Sequence, residues 1–223
     1  MEIWLDAIDT KAITRACRLG FIHGITTNPS LLAGANADHE RTIQSILDVQ
    51  DGPVAVQIMA EESEEMIKRA HALRVFSDRI IVKIPATQNG YIAINTLAED
   101  GVPTMATTIF HPNQAFLAAM SNAQYVAPYV GRMFDAGVDA YAALRSIAKV
   151  YKQSAFETKI LAAALKTPEQ ILACAEMGID AMTIKSSLFS EFIADNEDTL
   201  ESLKAFAEAW EAHDYSKSSS LLL

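Results

Sequence analysis

Short apolar runs recur along this chain at nearly even spacing: EIWLD (2–6), GITT (24–27), VAVQIM (54–59), RIIVKI (79–84), VPTMAT (102–107), AQYVAP (123–128), TKILAA (158–163) and DAMTI (180–184). Their length and β-branched content predict strands. Most are separated by amphipathic segments of helix length. EESEEMIKRAHALR (61–74) shows the type, with Met66, Ala70 and Leu73 as an apolar stripe at i, i+4, i+7. Its acids crowd the first turn and its bases follow, which suits the helix macrodipole, so the charges read as a solvated face.

Strands alternating with helices imply parallel pairing through right-handed crossovers. Eight of them predict an α/β fold, a single (β/α)8 TIM barrel over 1–212 that includes an additional C-terminal helix from about 197, EDTLESLKAFAEAWEAH. That helix either covers the barrel or reaches a neighbour. The tail, 213–223, is expected to be loose. A doubly wound open sheet is the alternative. It usually carries a glycine-rich turn after the first strand, whereas here the turn reads DAIDTKA, and neither GxGxxG nor GxxxxGK[ST] occurs.

With 223 residues, half of them hydrophobic, the chain is long enough for a sizeable core. A net charge of −10 argues against nucleic acid as a partner. No apolar run reaches the length of a membrane span, and MEIWLDAIDT has no signal-peptide pattern, so a cytoplasmic address is expected. Cys17 and Cys174 stand alone and read as buried small hydrophobes. The histidines, at 23, 39, 71, 111 and 213, show no metal-ligand spacing, and His111 beside Pro112 reads as a helix-start residue.

One residue breaks the apolar pattern where it is least expected. In DRIIVKIPAT (78–87), Lys83 shares a strand face with Ile81 and Pro85. A charged lysine in a core strand costs several kcal/mol unless it becomes neutral, and a neutral amine is what a Schiff-base enzyme requires. Other polar residues also cap the apolar runs: Asp6; Thr26, Thr27 and Asn28; Gln57; Thr107; Tyr129; Lys166; Lys185. In a barrel these ends form the active-site face. Thr27 and Asn28 before Pro29 read equally well as a turn and helix cap.

These residues resemble those of the small transaldolase family, and within it the fructose 6-phosphate aldolases. The match runs from residue 1 to about 212 and rests on WLDAID, GITTNPSLL, VQIMA, IIVKIPAT, NGYIAI, GVPTMATTIF, QYVAPYVGR and LAAALKTPEQ. The resemblance implies a class I aldolase without metal or other cofactor. Lys83 is then the Schiff-base lysine and Asp6 the aspartate that handles the substrate hydroxyl proton. Gln57, Thr107 and Tyr129 hold the acid/base water, with Tyr129 in proton transfer. Thr26, Asn28, Arg132, Ala164 and Lys166 line the substrate. The partners implied are a small ketone of the dihydroxyacetone type and an aldehyde or sugar phosphate.

Family members acting as transaldolases typically carry glutamate at the position of Gln57 and phenylalanine at that of Tyr129, so the resemblance points to the aldolase branch. A transaldolase and a non-catalytic sugar-binding barrel are the alternatives. The family's phosphate site includes a serine where this chain has Ala164, with Lys166 keeping a positive charge. The resemblance also implies a homodecamer of paired pentamers, in which the terminal helix packs on a neighbour through Phe206 and Trp210.

Overall fold

The computed structural model describes residues 1–34 and 38–212, so the tail expected over 213–223 lies outside the described residues. The chain divides into two compact units, Met1–Phe189 and the segment from Ser190 onward. The first is a closed barrel of eight parallel strands in sequence order: β1 (Glu2–Asp6), β2 (Ile22–Thr26), β3 (Val54–Gln57), β4 (Ile80–Pro85), β5 (Thr104–Ile109), β6 (Tyr125–Pro128), β7 (Lys159–Ala162) and β8 (Ala181–Lys185). β8 pairs back onto β1, with Trp4 against Thr183 and Asp6 against Lys185. This is the (β/α)8 architecture expected from the alternation, and all eight strands fall on the predicted runs.

Helices follow the strands: α1 (Thr10–Cys17), α2 (Pro29–Gly34), α3 (His39–Asp48), α4 (Ser63–Phe76), α5 (Gln88–Glu99), α6 (Pro112–Met120), α7 (Val130–Asp135), α8 (Ala140–Ser154), α9 (Pro168–Glu176) and α10 (Ser186–Phe192). Their starts are chemically specified. Asp9, Asp38, Thr87, Asp139 and Thr167 each accept a main-chain N–H in the first turn. His111 closes a capping box with Gln114 ahead of Pro112, so its ring serves the start of α6. The second unit contains α11 (Glu197–Glu211), capped by Asn196. Its residues Leu200, Leu203, Phe206 and Trp210 are exposed. No described helix is long and apolar enough to cross a membrane.

Strand alternation sorts the core into two layers. Ile80, Val82 and Ile84 point outward into the large cluster between sheet and helices. Ile81 points inward and packs with Trp4, Met105, Tyr125 and Leu161 inside the barrel. Gly24 leaves room for Trp4, because a Cβ there would lie 2.8 Å from the indole.

The N-terminal end of the barrel is closed by a charge set among aromatic rings. The Glu2 carboxylate accepts from Trp4 Nε1 at 3.1 Å, Tyr125 Oη at 2.9 Å and Lys159 Nζ at 2.5 Å. Burial pulls the proton affinity of Glu2 up, but these three bonds and nearby His23 together outweigh it and hold the carboxyl below the usual range. Charge pairing at this end reads as stability, because barrel chemistry sits at the other face. Cys174 is buried as expected, which pushes its thiol up to about 11, whereas Cys17 is only half-buried, at the end of α1.

Candidate active site

The inward face of β4 carries Ile81 and then, one pleat higher, Lys83, which is 6% exposed. Burial lowers the proton affinity of its amine, pushing the pKa down to about 8; the charge of Asp6 works in the opposite direction and is the smaller effect. Lys83 Nζ donates to the main-chain carbonyl of Thr27 at 2.6 Å. One end of the amine is thereby fixed without a direct carboxylate partner.

Three successive residues at the end of β2 serve both charged groups. Thr26 Oγ1 donates to Asp6 Oδ1 at 2.9 Å, Thr27 supplies its carbonyl to Lys83, and Asn28 Nδ2 lies 3.5 and 3.4 Å from the two Asp6 oxygens. Asn28 Oδ1 meanwhile accepts from Leu31 N at 3.0 Å. Asn28 therefore both caps the turn into α2 and faces Asp6. The strands explain why these groups converge. Asp6 is paired with Thr26 across β1–β2, and Gln57 with Lys83 across β3–β4.

The opposite wall comes from β5 and β6. Thr107, fully buried, lies 3.0 Å from Tyr129 Oη through its Oγ1. Tyr129 follows β6 at the start of α7, with Phe110 edge-on to its ring at 5.5 Å and the Arg132 guanidinium 4.7 Å from the ring centroid. These contacts fix the phenol while leaving it half-buried. Two residues with side chains stand in the left-handed region on this rim, Thr108 at φ 58° and Ala164 at φ 57°. For a β-branched residue such as Thr108 this is a strained conformation, held beside Thr107.

Lys166 does not point a spare charge at the mouth. Its Nζ lies 2.5 Å from both carboxylate oxygens of Asp135, and both side chains are about half exposed. The positive charge expected there is thus matched within the protein. Ala164 abuts the α7 start: a Cβ at Gly131 would lie 2.1 Å from the Ala164 carbonyl oxygen. Gly131 is therefore required by packing, which accounts for the glycine of YVGR in this chain. Lys185 is exposed at the end of β8.

One buried hydroxyl at the site escaped the reading of the sequence. Thr183, in β8, lies 2.6 Å from Thr26 Oγ1 through its own Oγ1. In DAMTI it is indistinguishable from any strand threonine. Only the closure of β8 onto β1 gives it a polar neighbour.

The arrangement joins a buried amine of lowered proton affinity, a carboxylate held by two donors, and a phenol on the facing wall. Such a set can add an amine to a carbonyl and move protons on either side of the resulting iminium. Among the described residues no group of three or more His, Cys, Asp or Glu side chains converges so as to hold a metal ion.

Comparison with known proteins agrees with this chemistry. A family model described as transaldolase/fructose-6-phosphate aldolase matches residues 3–220. A probable transaldolase of Coprothermobacter proteolyticus is 38% identical over 82% of this chain and 85% of its own length. A probable transaldolase of Methanococcus maripaludis strain C5 is 36% identical over 96% of this chain and 99% of its own. Among solved structures, a mandelate oxidase mutant with an FMN adduct superposes with a TM-score of 0.57 at 14% identity, covering 90% of this chain and 69% of the other, a likeness of fold alone. The chain belongs to the transaldolase/fructose-6-phosphate aldolase family and is an enzyme of the class I aldolase type.

Proposed function

We propose that this protein is a fructose 6-phosphate aldolase-type enzyme that makes and breaks a C–C bond between a dihydroxyacetone-type ketone and an aldehyde of the glyceraldehyde 3-phosphate type. The Lys83 amine adds to the ketone carbonyl and loses water to give an iminium. Asp6 takes the proton of the hydroxyl two carbons from that centre. The C–C bond breaks, the aldehyde departs, and the electron pair passes into the iminium to leave an enamine on Lys83. Protonation of the enamine carbon from the Tyr129 side, then hydrolysis, releases the ketone and restores the amine.

The observation that carries the aldolase reading is the Tyr129 hydroxyl, 3.0 Å from Thr107 on β5, the strand paired with the lysine strand. A phenol there offers the enamine a proton donor that phenylalanine lacks. Gln57 beside Lys83 in the strand register points the same way. The second reading is transaldolase activity, favoured by relatives named probable transaldolase. Both use the same lysine and differ in the fate of the enamine. Measuring free dihydroxyacetone released from fructose 6-phosphate, without and with an added acceptor aldehyde, separates them. An aldolase releases ketone without acceptor; a transaldolase requires it. The proposal extends to a cytoplasmic homodecamer in which the apolar stripe of α11 meets a second copy of the chain.

A further inference from the structure

We infer that Thr183 is a positioning residue for the bond-breaking step, acting on Asp6 through Thr26. This rests on the reading that Asp6 accepts the substrate hydroxyl proton. Thr183 and Thr26 are both buried, at 7% and 1% exposure, and their hydroxyl oxygens are 2.6 Å apart. Thr26 Oγ1 lies 2.9 Å from Asp6 Oδ1.

The direction of this chain follows from elementary valence. An ionised carboxylate has no hydrogen to give, so Thr26 donates to Asp6. Thr26 has one hydroxyl hydrogen, so the short contact to Thr183 must be filled by the hydrogen of Thr183. Two hydroxyls thus point in series at one carboxylate oxygen, each polarising the next. The series spans three strands in a row, β8, β1 and β2, and is supported by their pairing. Among the described residues it leaves Asp6 Oδ2 as the oxygen not engaged by a hydroxyl, with a long contact from Asn28 at 3.4 Å. The oxygen that must receive the substrate proton is therefore selected through the Thr26 hydroxyl, by a residue whose own hydroxyl is turned to Thr26 rather than to the carboxylate.

Formation of the iminium from a donor ketone does not call on the proton-accepting role of Asp6. Cleavage does: the hydroxyl O–H bond breaks as Asp6 gains the proton, the C–C bond breaks, and its electrons enter the iminium. Loss of Thr183 should hence separate the two steps. Valine at 183 keeps the shape and removes the hydroxyl. Serine keeps the hydroxyl and removes a methyl group.

The test uses the full-length parent with Thr183→Val, Thr183→Ser and Asp6→Ala, each checked for folding by circular dichroism. Two rates are measured: formation of the borohydride-trapped dihydroxyacetone adduct on Lys83, and cleavage of fructose 6-phosphate. The valine variant is expected to form adduct within twofold of the parent and to cleave on the order of tenfold more slowly, the effect of one lost hydrogen bond. Serine should restore cleavage to within about threefold. Parental cleavage by the valine variant overturns the inference, as does an equal fall in adduct and cleavage that serine fails to rescue. If valine does not fold, slow cleavage with normal adduct formation in a folded Thr183→Cys enzyme supports the inference, and parental cleavage there overturns it. Parental cleavage by Asp6→Ala refutes the role of Asp6 and removes the basis for Thr183. A parent that forms no adduct refutes the aldolase reading itself.

Discussion

Lys83 Nζ and the Thr27 carbonyl are joined at 2.6 Å, between the inner face of β4 and the residue that leaves β2. A carbonyl can hold an ammonium by one hydrogen bond but cannot neutralise it. Burial therefore remains the stronger influence, and the amine is pushed down to about 8. The amine is thus tethered yet ready to lose a proton near neutral pH.

This fixes the pH dependence of the first step. Only the neutral amine attacks a carbonyl, so the rate of adduct formation on Lys83 should rise about tenfold per pH unit below 8 and level off above it. A stopped-time borohydride series from pH 6 to 10 measures this. A rate still climbing tenfold per unit beyond pH 9 would show an ordinary, solvated lysine.

The same shift has a cost in stability. The folded pKa of Lys83 lies below its unfolded value, so the unfolded chain binds more protons between the two and stability rises with pH across that window. Below about pH 8 the full penalty applies, on the order of 3 kcal/mol for a shift of this size. Lys83→Met should therefore unfold at higher denaturant concentration than the parent at pH 7, while losing turnover. The difference should shrink towards pH 10. An equal or lower midpoint for the methionine variant at pH 7 would refute it.

Much of this fold was legible because the strands are buried on both faces and separated by helix-length segments, so length and β-branching marked them. Lys83 was legible for the same reason, being a charge where the pattern demanded an apolar residue. The rest needed three dimensions. Asp135 and Lys166 lie 31 residues apart and meet only because α7 and the loop after β7 share a rim. Thr183 resembles every other strand threonine until barrel closure brings Thr26 to it. Left-handed Thr108 and Ala164 carry no compositional mark, since neither is glycine or asparagine. Cys17 faces only partly inward because it ends α1 rather than filling its buried face.

The fate of the enamine should depend on Tyr129. Gln57→Glu combined with Tyr129→Phe should lower release of free ketone relative to transfer onto an added aldehyde, because the phenol beside Thr107 is lost. A product ratio unchanged from the parent removes Tyr129 as the proton source.

Acceptor choice should depend on residue 164. The Lys166 charge is matched by Asp135, so Arg132 is left as the main cation for a phosphate, and Ala164 supplies no hydroxyl. Ala164→Ser should raise kcat/KM for glyceraldehyde 3-phosphate about tenfold, mainly through KM, and leave glyceraldehyde nearly unchanged. Equal gains for both acceptors would mean the serine acts through packing.

Assembly should depend on α11. Phe206 is 69% exposed and Trp210 45%, four residues apart on one face with Leu203 beside them. Sedimentation at micromolar concentration should show a large oligomer, and Phe206→Asp with Trp210→Asp should reduce its size. A monomeric parent would refute this.

The central claim is that chemistry passes through a covalent imine on Lys83. The protein, treated at length with EDTA, is incubated with dihydroxyacetone or fructose 6-phosphate and borohydride, and the adduct is mapped by mass spectrometry. The account predicts one adduct per chain on Lys83, turnover surviving the chelator, and neither adduct nor turnover in Lys83→Met. An adduct on Lys166 or Lys185 instead, or full activity in Lys83→Met, would contradict it.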